Sequence, residues 1–273
     1  MTGPRRPHQR RRPARSADPV RVLLLHGLGC RTSTWDRFAE LAGDELELCD
    51  LELPWHGFED STWSHREDTV AQLVGAIGAE DGVLDFDAVV AHSFSANLLL
   101  EAYAAGLVEP KPTVLASPFY RASPKGFDWV TISYYLNDFH LIFAEGLRLG
   151  EDRRRTPAAL DVLARQLRDH LGPYGWTRFF DAYLRSPFLD LAAVTGPLLV
   201  VVGDADIAAR SDDARVLAES LPAGRFALLD RCGHFPMLEQ PERFALAVSD
   251  FLDTLPRHRM RRGRTDDPSL ELA

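Results

Sequence analysis

The sequence predicts an α/β fold, a doubly wound, mostly parallel sheet of about six strands that carries a helical cap insertion. Three observations lead there. Short, almost continuously apolar runs, such as Val20 to His26 and Leu198 to Gly203, have the composition of central parallel strands, which are covered on both faces. Segments with helical spacing of apolar residues separate these runs, as winding a parallel sheet requires. The alternation stops from about 119 to 189, in an aromatic-rich stretch of helical pattern, and then resumes.

Residues 1–18 are Pro- and Arg-rich without a strand pattern and read as a disordered basic tail. Order begins with Val20 to His26, which closes on the loop His26-Gly27-Leu28-Gly29, and a helix opens at Thr34 to Phe38. Leu46 to Leu51 is the next strand, ending in Glu52-Leu53-Pro54-Trp55-His56-Gly57, and Thr69 to Ala79 is helical in spacing. The apolar run Asp87 to Val90 is a strand, Asn97 to Ala105 a helix stopped by Gly106, and Thr113 to Ala116 a further strand. Beyond the inserted block come strand Leu198 to Gly203, a helix near Ala214 to Ser220, strand Arg225 to Leu229 and a closing helix from Pro241 to Leu255. Pro241 suits a first helical turn. The core is therefore expected at 19–118 and 190–256, the helical cap at 119–189, and a second disordered tail at 257–273.

The 273 residues, 45% hydrophobic, suffice for one large buried core. No apolar run approaches the roughly 20 residues that span a bilayer, and none follows the N-terminal arginines to form a signal peptide. Cys30, Cys49 and Cys232 make neither a CxxC pair nor a disulfide framework. No membrane attachment and a cytoplasmic location are expected. The net charge of −9 is uneven, because six arginines fall in the first 17 residues and five after Pro256. Between them stand 20 basic against 37 acidic residues. That acidic body lacks the basic face that phosphate contacts need, so the expected partner is a small molecule and not nucleic acid.

The strongest local signal is Ala91-His92-Ser93-Phe94-Ser95-Ala96, a serine between a strand and a helix with small residues two before and two after it. This is the geometry of a nucleophile elbow: the turn lifts the hydroxyl out of the sheet, and the helix's first N–H groups face developing negative charge. Ala91 and Ser95 stand where glycine is usual.

Along the chain, His26-Gly27-Leu28-Gly29, Ser93, Gly203-Asp204-Ala205-Asp206 and Gly233-His234-Phe235-Pro236 fall in one order. That order resembles the α/β-hydrolase superfamily, from Val20 to about Leu255. Glu52 to Gly57 is similar to its Asp-Leu-Pro-Gly-His-Gly turn, with Glu52 and Trp55 substituted. The resemblance implies a triad of Ser93 as nucleophile, His234 as base and Asp206 as its orienting acid, with Asp204 as the competing acid. It also implies an oxyanion hole built from the backbone N–H groups of Leu28 and Phe94. No step requires a metal or organic cofactor. Trp55, Phe119, Tyr120, Trp129, Tyr134 and Phe139 are candidate substrate contacts, and they suggest an apolar or aromatic small molecule whose ester, lactone or thioester is cleaved through an acyl-enzyme on Ser93.

His26 and His56 are expected to structure loops and His92 to pack, while His140 either meets substrate or lies exposed. Cys30 and Cys232 read as small apolar fillers. The leading antiparallel strand pair common in the family has no counterpart in residues 1–17, hence the expectation of about six strands. Serine at the elbow argues against the dehalogenase and epoxide hydrolase branches. Carbon–carbon hydrolysis, lyase or cyclisation chemistry on a secondary metabolite remains a rival, as does a catalytically weak relative that binds a small ligand. Oligomeric state is left open.

Overall fold

A computed structural model describes residues 8–56, 62–66, 68–78, 86–150 and 155–256. Its strands are β1 (His8–Arg12), β2 (Val20–Leu25), β3 (Leu46–Leu51), β4 (Ala88–His92), β5 (Thr113–Ala116), β6 (Leu198–Gly203) and β7 (Gly224–Leu229). The α-helices are α1 (Asp36–Leu41), α2 (Thr69–Gly78), α3 (Phe94–Ala104), α4 (Trp129–Asn137), α5 (His140–Leu149), α6 (Pro157–Arg185), α7 (Ser211–Ser220), α8 (Pro236–Glu239) and α9 (Pro241–Asp253).

One sheet runs in the order β1-β3-β2-β4-β5-β6-β7, with β2 through β7 all parallel. Successive strand residues point to opposite faces, and both faces are buried here. Leu23, Leu25, Val89, Ala91, Val200 and Val202 join one core with α2, α3 and α7. Val22, Leu24, Val90, Val114 and Val201 join the other with α1, α8 and α9. This is why the strands read as continuous apolar runs rather than alternating ones.

The first strand is a correction. Residues 1–18 read as a disordered tail, yet His8–Arg12 pairs antiparallel with β3, His8 opposite Leu51 and Arg12 opposite Leu48, with a register shift between Arg10 and Arg12. The cause lies in β3, whose outer edge offers unpaired backbone groups. Arg12 anchors the strand's end by donating to the carbonyls of Ala39 (2.9 Å), Ala42 (2.5 Å) and Gly43, at and just past the C-terminus of α1. The sheet thus has seven strands, and one antiparallel strand stands where none was expected. The other expected tail, 257–273, lies outside the described residues, as do Gly57 and Ala79.

Helices α4, α5 and α6 lie between β5 and β6 in the chain, and they account for the break in alternation. Asp128 caps α4 through the Thr131 N–H (2.8 Å), and Thr156 caps α6 through the Ala159 N–H (3.3 Å) with Pro157 following. α6 breaks at Gly172 (φ 65°, ψ −178°), just before Pro173. Its second half brings Phe179 and Tyr183 against Phe119, with ring centroids 4.8 and 5.5 Å apart. Among the described residues no helix is long and apolar enough to cross a membrane.

Candidate active site

The C-terminal ends of the parallel strands collect the polar groups, the usual place for a site in such sheets. Ser93 sits between β4 and α3 with φ 55° and ψ −121°, a left-handed conformation that costs a non-glycine residue energy. Its N–H donates to the Ala116 carbonyl (2.8 Å) and its carbonyl accepts from the Asn97 N–H (3.1 Å), so the sheet and the first helical turn hold the strained turn between them.

Ser95 completes the elbow. Its fully buried hydroxyl donates to the His26 carbonyl and accepts from the Trp55 indole N–H at 3.1 Å. The two bulkier replacements of usual glycines, Ser95 and Trp55, are therefore partners. Trp55 does not line an entrance: it is fully buried, edge-on to Phe94 (5.4 Å) and Trp63 (6.0 Å).

His234 follows β7 and is brought to Ser93 across 141 residues of chain, its Nε2 lying 3.0 Å from Ser93 Oγ. Its Nδ1 lies 3.0 and 3.1 Å from the two oxygens of Asp206. The Asp206 carboxylate also accepts from the Ala208 and Ala209 N–H groups, both at 2.8 Å, and its side chain is fully buried. With Nδ1–H donated to Asp206, Nε2 is left as the acceptor for the serine hydroxyl. Burial alone would lower the His234 pKa, but the charge and hydrogen bond of Asp206, then Glu145 and Glu239, raise it above the ordinary value. Asp204, the competing acid, instead accepts from the Cys232 N–H at 3.2 Å and shapes the loop.

Leu28 and Phe94 are buried beside Ser93, and among the described residues neither N–H meets a protein acceptor. His26 donates from Nδ1 to Gly27 (2.9 Å) and accepts at Nε2 from the Leu53 N–H (3.0 Å), which ties the glycine loop to the segment after β3. Burial lowers its pKa to about 4. His92 sits behind the histidine loop and donates to the His234 carbonyl (2.9 Å), with burial, then the charge of His234, pushing its pKa well down. Burial raises the Cys30 thiol to about 12 and the Cys232 thiol also upward, which leaves neither as a thiolate.

The candidate substrate contacts divide. The Phe119 ring lies 5.4 Å from the His234 ring, and Phe139 packs on Phe143 and Phe179 within the cap's aromatic cluster. Tyr134 donates to the Ile207 carbonyl (2.7 Å), anchoring α4 on the Asp206 loop, and Tyr120 turns toward Ser220 at the end of α7. Trp129 is 80% exposed at the start of α4. His140 is buried inside the cap, 3.5 Å from Asp161.

Three residues escaped the sequence reading. Asn97 accepts from the Phe119 N–H (2.9 Å) and donates to its carbonyl (2.6 Å), fixing Phe119 over the histidine. Tyr135, beside Tyr134, donates to Ala208 at 2.6 Å. Glu145 reaches the histidine loop from α5, and its pKa is raised by burial and by Glu239. Its signal was a lone acid three residues after Ile142 in an otherwise apolar turn.

Ser93 is 6% exposed. A groove of about 460 Å³ runs over the glycine loop, between Gly29, Cys30 and Arg37 on one side and Phe143, Leu167 and Phe235 on the other. Among the described residues no group of three or more His, Cys, Asp or Glu side chains is arranged to hold a metal ion.

Residues 22–248 match the model of the Alpha/beta hydrolase family. The chain is 26% identical over 252 residues to the pimeloyl-(acyl-carrier protein) methyl ester esterase of Aromatoleum aromaticum, covering 84% of this chain and 96% of that one. It is 24% identical over 271 residues to monoacylglycerol lipase abhd6-A of Xenopus laevis, covering 86% and 75%. Among solved structures, esterase RhEst1 from Rhodococcus sp. ECU1013 superposes with a TM-score of 0.64 at 20% identity, over 91% of this chain and 94% of that one, a likeness of fold.

Proposed function

The chain belongs to the α/β-hydrolase family, and from that premise we propose that it is a serine hydrolase cleaving a carboxylic ester, lactone or thioester of an apolar or aromatic small molecule. One observation carries the reading: Asp206, His234 and Ser93 form a continuous hydrogen-bonded relay with every link between 3.0 and 3.1 Å. An isolated serine hydroxyl is a poor nucleophile and needs such a base.

In this mechanism Ser93 Oγ attacks the carbonyl carbon while His234 Nε2 takes its proton. The tetrahedral oxyanion accepts from the Leu28 and Phe94 N–H groups, which point at no other protein acceptor. His234 returns the proton to the leaving alcohol or thiol, and the acyl group stays on Ser93. Water, deprotonated by His234, then attacks the acyl carbon, and the acid leaves as the bond to Ser93 breaks and His234 returns the proton to Ser93 Oγ. Asp206 fixes the ring's tautomer and supports the imidazolium formed in each half-reaction. No metal or organic cofactor enters the scheme.

The Phe119 ring, 5.4 Å from the His234 ring, favours a hydrophobic substituent on the substrate. The names of the two relatives, an ester esterase and a lipase, support carboxylic ester chemistry. Ser95, the feature that motivates a non-catalytic binder, is absorbed without opening the elbow because the His26 carbonyl and Trp55 indole use its hydroxyl.

The test is hydrolysis of p-nitrophenyl esters of increasing acyl length by wild type and Ser93→Ala. Loss of the nucleophile lowers turnover by about 10⁶ in subtilisin, another triad hydrolase. A folded wild type no faster than the variant on every ester would overturn the reading.

A further inference from the structure

We propose that Glu145 is a positioning residue for His234: reaching from the cap onto the histidine loop, its carboxylate supplies a second fixed negative charge beside the imidazolium that forms during turnover. The inference rests on the hydrolase reading above.

Helix α5 lies directly on the loop that carries His234. The backbone of α5 at Gly146 approaches the Phe235 ring, and a β-carbon on Gly233 would collide with Glu145 Oε1 and lie 2.9 Å from Glu239 Oε1. Two carboxylates, one from α5 and one from α8, therefore converge on the loop at Gly233. Glu239, in α8, accepts from the Gly233 N–H (2.9 Å) and the Phe235 N–H (3.1 Å). Glu145, from the cap, faces the His234 backbone N–H lying between those two donors.

Glu239 is satisfied by these backbone donors, but Glu145 is not. Glu145 Oε2 is buried with no hydrogen-bond partner, and among the described residues no lysine or arginine pairs with either carboxylate. A carboxylate left this way costs stability unless some group compensates it. The titratable and charged neighbours are Asp206 after β6, Glu239 in α8, His92 in β4, Tyr134 in α4, and Cys232 and His234 in the loop itself. His92 is held neutral, so His234 is the neighbour able to become a cation. Each catalytic half-reaction makes that cation, and Glu145, seated at the loop's backbone, favours it beside the core's own acid, Asp206. Because Glu145 belongs to the inserted helices, the cap does more than cover the site: its seating sets the charge around the base.

The experiment titrates the His234 ring by NMR in wild type and Glu145→Gln, with His234→Ala to assign the signal. In parallel, the rate of Ser93 phosphonylation by a fluorophosphonate is followed against pH. Glutamine keeps the shape and a hydrogen-bonding oxygen but removes the charge. The expected result is a His234 pKa about half a unit lower in Glu145→Gln, with the acid limb of phosphonylation displaced downward by the same amount. Unchanged titration and an unchanged limb would overturn the proposal and leave Glu145 as a spacer. Should glutamine loosen the cap, Glu145→Asp decides, since a retained charge keeps the limb near wild type whereas a packing role displaces it. A wild type that is never phosphonylated but shows the NMR difference would refute the hydrolase reading and leave the electrostatic role of Glu145 standing.

Discussion

Ser93, Asp206 and His234 were singled out because their motifs fall in the order of a known family, and the fold brings the three within hydrogen-bond reach of one another. Choosing Asp206 over Asp204 was a matter of direction, and only the fold shows Asp206 aimed at the imidazole while Asp204 caps the Cys232 N–H. Trp55 was misread for the same reason. Its partner Ser95 lies 40 residues away, and nothing local says that the indole turns inward. His26 carries a prediction at this scale. Burial holds its folded pKa at about 4 against 6.5, so over this window the unfolded chain binds a proton that the folded one excludes. The resulting stability is present above pH 6.5 and is lost as pH falls toward 4, by about 3 kcal/mol in all. Urea unfolding at intervals between these limits should show that loss in wild type and a shallower one in His26→Gln. Equal slopes would mean that His26 is not what excludes the proton.

Among the elements, the strands and the flanking helices were predictable because both faces of the sheet are covered and the helices carry regular spacing. The inserted helices were predictable in kind but not in detail. Their aromatic residues mostly fill the cap's own interior, as with Trp176 stacked on Phe180 at 4.9 Å, and sequence order cannot separate that use from lining a pocket. Nor does it show that Tyr134 and Tyr135 fasten α4 to the Asp206 loop. The break in α6 is a different case, since Gly172-Pro173 is visible but its consequence is not. Gly172 takes φ 65° and ψ −178°, a region that is essentially glycine's alone. Gly172→Ala should therefore cost about 1–3 kcal/mol. The loss should appear as a lower denaturation midpoint, together with slower phosphonylation of Ser93, because the half-helix beyond the break carries Phe179 and Tyr183 onto Phe119. An unchanged midpoint would show that the break tolerates a side chain.

For the molecule as a whole, the edge strand β1 was the part that sequence reading missed. His8-Gln9-Arg10-Arg11-Arg12 has no apolar alternation to announce a strand, and the open backbone edge of β3 dictates its conformation. Arg12 then links that edge to the C-terminus of α1 through three carbonyls. Arg12→Ala should lower the unfolding free energy by about 1–2 kcal/mol, read from urea melts at neutral pH. A variant as stable as wild type would show that β1 only decorates the sheet. The separation of Ser93 and His234 along the chain has a consequence for synthesis. Domains begin to form while the chain is still emerging, N-terminal end first. Ser93 leaves the ribosome long before His234, and the hydrogen bond between them closes over 141 residues. For a hydrolase of the kind proposed, a nascent or truncated copy already displays the serine yet stays chemically unarmed until the last strand and the histidine loop have docked, so reactivity is conferred only on finished chains.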